Sequence, residues 1–178
     1  MKRLLAPLLA CLSPLLSACT GSPEGVAPVT GFEADRYLGT WHEVARLDHR
    51  FERGLIAVTA AYSRNPDGSI KVVNRGFDPQ KCAWREAVGR AKFMADPATA
   101  HLAVSFFGPF YGGYTVFELD KEAYAWAAVA GPSRDYLWIL ARDPALDEGV
   151  RDRLIARARE RGFPTEGLIL VERELPPC

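Results

Sequence analysis

Gly39-Thr40-Trp41-His42-Glu43-Val44-Ala45-Arg46-Leu47-Asp48-His49-Arg50-Phe51-Glu52-Arg53-Gly54 decides how this chain is read. Gly39 lets a ring or a backbone approach closely, and Trp41 follows two residues on. Alternating residues then lead into a charged segment closed by Gly54. The pattern predicts the first strand of a β-barrel and a loop folded over one end. Far downstream, Tyr136-Leu137-Trp138-Ile139-Leu140-Ala141-Arg142 predicts a last barrel strand, with Trp138 and Arg142 on one face because side chains alternate. Trp41 and Arg142 have the chemistry of a cation–π stack that plugs the barrel floor.

Gly-x-Trp at a first strand and an Arg ending a last one resemble the signature of the lipocalins. The strings Asp48–Gly54, Ser105-Phe106-Phe107-Gly108-Pro109-Phe110-Tyr111-Gly112-Gly113-Tyr114 and Asp135–Leu140 resemble the bacterial, outer-membrane lipoprotein subfamily. The likeness runs over residues 32–172, with His42 departing from the usual Tyr. The resemblance implies an all-β fold: an eight-stranded antiparallel up-and-down barrel with one C-terminal α-helix packed outside and a short final strand. It also implies fatty acids or lysophospholipids as the ligand class.

The N-terminus carries a separate message. Lys2 and Arg3 precede an apolar run, Leu4–Leu16, which Pro7 and Pro14 interrupt and which is too short to span a bilayer. Leu16-Ser17-Ala18-Cys19 resembles a lipobox, where a signal peptide (1–18) is removed and Cys19 is acylated. Thr20 rather than Asp after that Cys favours lipid anchoring in the outer membrane, on the periplasmic side, and several acyl chains give lasting attachment. Residues 19–31, rich in Gly, Ser and Pro, predict a flexible tether, with the barrel domain at 32–178.

The remaining chain reads as short strands between turn signals such as Asn65-Pro66-Asp67-Gly68, Asp78-Pro79, Asp96-Pro97 and Gly112-Gly113. Leu146, Val150, Leu154 and Ala158 predict one amphipathic helix, stopped near Gly162, whose arginines read as a solvated face. Net charge is zero, so no basic excess exists to attract nucleic acid.

Cys11 departs with the signal and Cys19 takes lipid, which leaves Cys82 and Cys178 as an even pair in an oxidising compartment and predicts a disulfide. No Gly-x-Ser-x-Gly, His-Glu-x-x-His, phosphate loop or Cys-x-x-Cys occurs, and His42, His49 and His101 are scattered. Neither catalysis, nor a metal, nor a cofactor is expected. Asp48, Glu52 and Arg53 predict a salt-bridged lid. A barrel of this size holds either a packed core or one small ligand. Strand parity turns Tyr62, Asn74, Phe106, Tyr114 and Trp138 inward toward the loop end as ligand-binding candidates, with Gly39, Trp41 and Arg142 at the floor. The expected partners are a lipid or fatty acid and, through acyl chains, the membrane. Oligomeric state stays open, a homodimer included. The competing readings are a lipocalin-fold enzyme acting on a bound lipophile and a ligand-free structural lipoprotein.

Overall fold

Alternation in the sequence becomes eight strands: β1 (Gly39–Leu47), β2 (Ile56–Arg64), β3 (Ile70–Asp78), β4 (Ala83–Phe93), β5 (His101–Phe107), β6 (Phe110–Leu119), β7 (Trp126–Ala130) and β8 (Leu137–Ala141). The structure is a computed structural model describing residues 20–178; the expected signal 1–18 and Cys19 lie outside the described residues. Each strand pairs antiparallel with the next, and β1 pairs with both β8 and β2, closing the barrel. Turn chemistry does the local work. At Asn65–Ser69, Gly68 sits at φ +81° and donates to Asn65 O at 3.0 Å, while Asp67 Oδ1 accepts from Ser69 N at 3.1 Å.

A helix, α2 (Glu148–Glu160), packs outside. Asp147 caps it by accepting from Val150 N at 3.0 Å, and Gly162 at φ +80° ends it. Its buried Leu154 and Ala158 meet Val44, Phe117, Ala128, Leu137 and Ile139 on the outer barrel face. The helix arginines are solvated or paired: Arg157 with Glu160, Arg151 with Glu148 and Asp152. Arg161 reaches Glu118 at 2.6 Å, which fixes Glu118 as outward-facing after a bulge between Val116 and Glu118. A last strand, β9 (Leu168–Leu170), adds to β1.

Three expectations are corrected. Residues 20–31 do not hang free: Val26 is buried against the outer cluster, and Val29 N donates to Val116 O at 2.9 Å. Apolar anchors spaced through a Pro-rich segment are enough to lay it on the barrel. Gly112 and Gly113 lie inside β6 rather than breaking it. A Cβ on Gly113 would sit 2.4 Å from Gly21 O, so the glycine makes room for this N-terminal segment. Finally, the loop 48–54 is only partly a lid: Arg53 and Asp48 pair at the surface at 2.8 Å, but Glu52 turns inward and is buried.

Cys82, heading β4, is bonded to Cys178, with Cα atoms 5.8 Å apart and 96 residues between them in sequence. The bridge ties the chain end to the loop end of the barrel. Replacing both with Ser should lower unfolding stability by about 2–4 kcal/mol. Urea melts without reductant check this, and no change on substitution would mean the terminus contributes nothing.

Candidate functional site: the barrel interior

The floor is built as the sequence predicts. The Arg142 guanidinium lies 4.0 Å from the Trp41 ring, and a Cβ on Gly39 would come within 3.2 Å of Arg142 Nη1. Arg142 also donates to Thr40 O at 2.8 Å, Arg36 O at 2.9 Å and Leu38 O at 2.7 Å. These carbonyls flank a short helix, α1 (Ala34–Tyr37), so the cation closes the barrel and caps α1 together. Tyr37, which the sequence did not single out, packs at a tilt on Trp41 with centroids 4.7 Å apart, and its backbone carbonyl accepts the indole N–H at 2.8 Å.

Above the floor, Tyr62 and Tyr37 each place a hydroxyl 2.8 Å from Tyr114 Oη. Burial pushes all three phenols up, so they stay protonated and act as hydrogen-bonding groups. Asn74, opposite Ala60 on the same inward face as Val72, has a buried Oδ1 with no partner. Phe106 lies against Gly89, where a Cβ would be 2.8 Å from its ring.

Trp138 stands apart from the tyrosines, at the loop end. It donates to Glu52 Oε2 at 3.1 Å and meets the edge of His49 with centroids 5.1 Å apart. Tyr136 stacks beside it. Here lies a charged cluster that sequence reasoning missed. Arg46, almost fully buried, donates to Glu43 Oε1 at 2.6 Å, to Glu52 O at 3.0 Å and to Leu55 O at 3.1 Å. Strict alternation from Trp41 would send Arg46 outward. A bulge between Glu43 and Ala45 shifts the register, setting Ala45 opposite outward Ile139 and Arg46 opposite inward Trp138.

Two carboxyls share this site unequally. Burial, and then the charge of Glu52, pushes Glu43 well up, with Arg46 opposing. Burial would raise Glu52 also, but hydrogen bonding from His49 and Trp138 holds it below its ordinary range. Glu43 is therefore the harder of the two to ionise and Glu52 the easier, both beside Arg46. The signs of the pH effects are opposite. Glu52 stabilises above its ordinary value and loses that contribution as pH falls through the depressed one. Glu43 stabilises below its ordinary value of 4.5, and the contribution drains as pH rises through the raised one. Glu43→Gln, which mimics the protonated acid, should therefore gain on the native chain in denaturant midpoint as pH rises above 4.5. A constant difference across pH would show that Glu43 titrates in the fold as it does unfolded.

The upper wall is open. By register Ala87 faces inward opposite Asn74, as Arg85 does opposite Gly76, yet both are exposed, as are outward Glu86 and Val88. The β4–β5 ladder covers only Arg90–Phe93, at the floor end. The barrel is thus sealed by Trp41 and Arg142 below, lined by apolar and aromatic groups with a few polar tips, and open to solvent above. Among the described residues no group of three His, Cys, Asp or Glu could hold a metal ion.

The model of the lipocalin-like domain matches residues 32–173. This chain belongs to the lipocalin family. The lipocalin is 52% identical over 162 residues to the outer membrane lipoprotein Blc of Vibrio cholerae, covering 91% of this chain and 95% of that one. To the outer membrane lipoprotein Blc of Escherichia coli K12 it is 49% identical over 173 residues, covering 95% and 97%. Among solved structures, insecticyanin of Manduca sexta shares the fold at a TM-score of 0.67 and 17% identity, covering 86% of this lipocalin and 87% of that chain. Its relatives are named as lipocalins and outer membrane lipoproteins, which supports a lipophile-binding lipocalin of the bacterial envelope.

Proposed function

We propose that this lipocalin, acylated at Cys19 and anchored in the outer membrane facing the periplasm, binds fatty acids or lysophospholipids and stores or moves them, without catalysis. The observation that carries the reading is the interior: inward Arg85 and Ala87 stay exposed while the floor is fully sealed. An acyl chain laid against the part-exposed Val104 and Phe106 would gain about 0.8 kcal/mol per buried CH₂. Tyr62, Tyr114 and the unpartnered Asn74 Oδ1 would orient polar atoms of the ligand. Trp138, beside Glu52 and His49, would sense the head group near the mouth.

The test is direct. Protein purified from its own membrane should release acyl lipids on solvent extraction, and lysophospholipid added to the stripped protein should quench Trp138. Asn74→Leu should change affinity several-fold while Trp138→Phe abolishes the signal. Recovery of no lipid together with no quenching would leave a filled, ligand-free barrel as the answer.

A further inference from the structure

Three large apolar side chains stand at one end of the barrel: Phe51 is 51% exposed, Phe107 72% and Phe110 78%. Chain direction puts them together. β1 runs from the Trp41 floor to the loop that holds Phe51, and β5 turns into β6 between Phe107 and Phe110 at that same end. The β5–β6 hairpin stands above β7. β7 ends at Ala130 opposite Thr115, so Phe110–Tyr114 run on beyond the β7–β8 turn. The hairpin tip is therefore a raised aromatic lip beside the open side of the mouth.

The N-terminal segment runs along the outside of the same hairpin. Val29 bonds to Val116, Ser22 Oγ lies 2.6 Å from Thr115 Oγ1, and Gly21 O crowds Gly113. The chain, followed backwards, thus runs along β6 from Val116 to Gly113. Thr20 O is held 3.0 Å from His101 Nε2. Cys19 is the next residue, so a lipid on it would start within about 3.8 Å of Thr20, beside the hairpin and below its tip. Cations ring the same end: Arg50, Lys81 and Arg85 are exposed, and none has an ion pair among the described residues.

We propose that this rim seats in the lipid surface itself, with Phe51, Phe107 and Phe110 at head-group depth and Arg50, Lys81 and Arg85 on anionic head groups, so that the mouth opens onto the bilayer. Aromatic rings with flanking cations are the chemistry of an interface-seated surface. The orientation rests on the reading of Cys19 as the acylated residue; the affinity of the rim does not.

The experiment separates the two. The mature chain carrying Cys19→Ser, with no acyl group, is floated with vesicles of phosphatidylethanolamine and phosphatidylglycerol. It should float, and Phe107→Ser with Phe110→Ser should cut the bound fraction at least about tenfold. Far-ultraviolet dichroism and Trp138 quenching by lysophospholipid should stay unchanged, which excludes misfolding. Vesicles of phosphatidylcholine alone should bind less. Equal flotation of the double variant, or none of the parent, overturns the proposal. So does a dimer in sedimentation that the double substitution dissociates, since the lip would then face a second copy. Mass spectrometry showing no acyl group on Cys19 of the native protein would overturn the orientation and the anchor while flotation still decides the rim.

Discussion

Arg46→Ala should cost this lipocalin about 3–5 kcal/mol of unfolding stability, the range seen when one partner of a buried ion pair is removed. Against a typical total of about 5–15 kcal/mol, that brings the fold near its limit. The reason is local. The substitution strands the Glu43 carboxyl beside Glu52 and leaves the carbonyls of Glu52 and Leu55 without their donor. It also loosens the 48–55 loop, because Arg46 is the group that holds that loop to β1. Two comparisons give the result meaning. Arg53→Ala breaks only the exposed pair with Asp48 and should change stability by less than about 1 kcal/mol. Replacing Arg46 by Met together with Glu43 and Glu52 by Gln should recover most of the loss, since no uncompensated carboxylate remains. Urea unfolding at neutral pH checks all three, and a loss for Arg46→Ala no larger than that for Arg53→Ala would refute the assignment.

Trp41→Ala should be nearly as severe, about 3–5 kcal/mol for a large aromatic removed from a closed core. Trp41 has no exposed surface, packs on Tyr37 and Arg142, and donates to Tyr37 O. Its loss opens the floor, so the variant should also leak: bound lipid should exchange faster even where the protein still folds. Trp41→Phe keeps a ring for Arg142 and should lose only about 1–2 kcal/mol through the missing indole hydrogen bond and reduced volume. Thermal melts and ligand off-rates read the two effects separately. An Ala variant as stable as the Phe variant would show that the stack does not close the barrel.

The interior was only half legible in the sequence. Tyr62 and Tyr114 do meet, because both strands hold regular alternation at those positions. Gly39, Trp41 and Arg142 meet for a different reason: each has a chemistry the others need, close approach, a π face and a planar cation. Glu52, with Asp48 and Arg53, reads as a surface lid because charges in a loop ordinarily face water, and Glu43, Arg46 and His49 carry no sequence signal that joins them to it. No local signal announces the bulge that turns Arg46 inward. Tyr37 escaped because it sits in a four-residue helix, too short to leave a periodic trace.

What the sequence alone determined is the strand order, the outer helix, the floor pair and the cysteine pairing, since each rests on periodicity, turn chemistry or residue type that acts within a few positions. What only the tertiary structure decided is where pairing slips. One extra residue between Glu43 and Ala45 exchanges the faces of β1, because side chains alternate with a period of two. That slip puts an ion pair in the barrel's upper interior. The same kind of long-range contact lays residues 20–31 along β6 and brings Thr20 beside Gly113 and His101, a placement fixed by residues some eighty to ninety positions away.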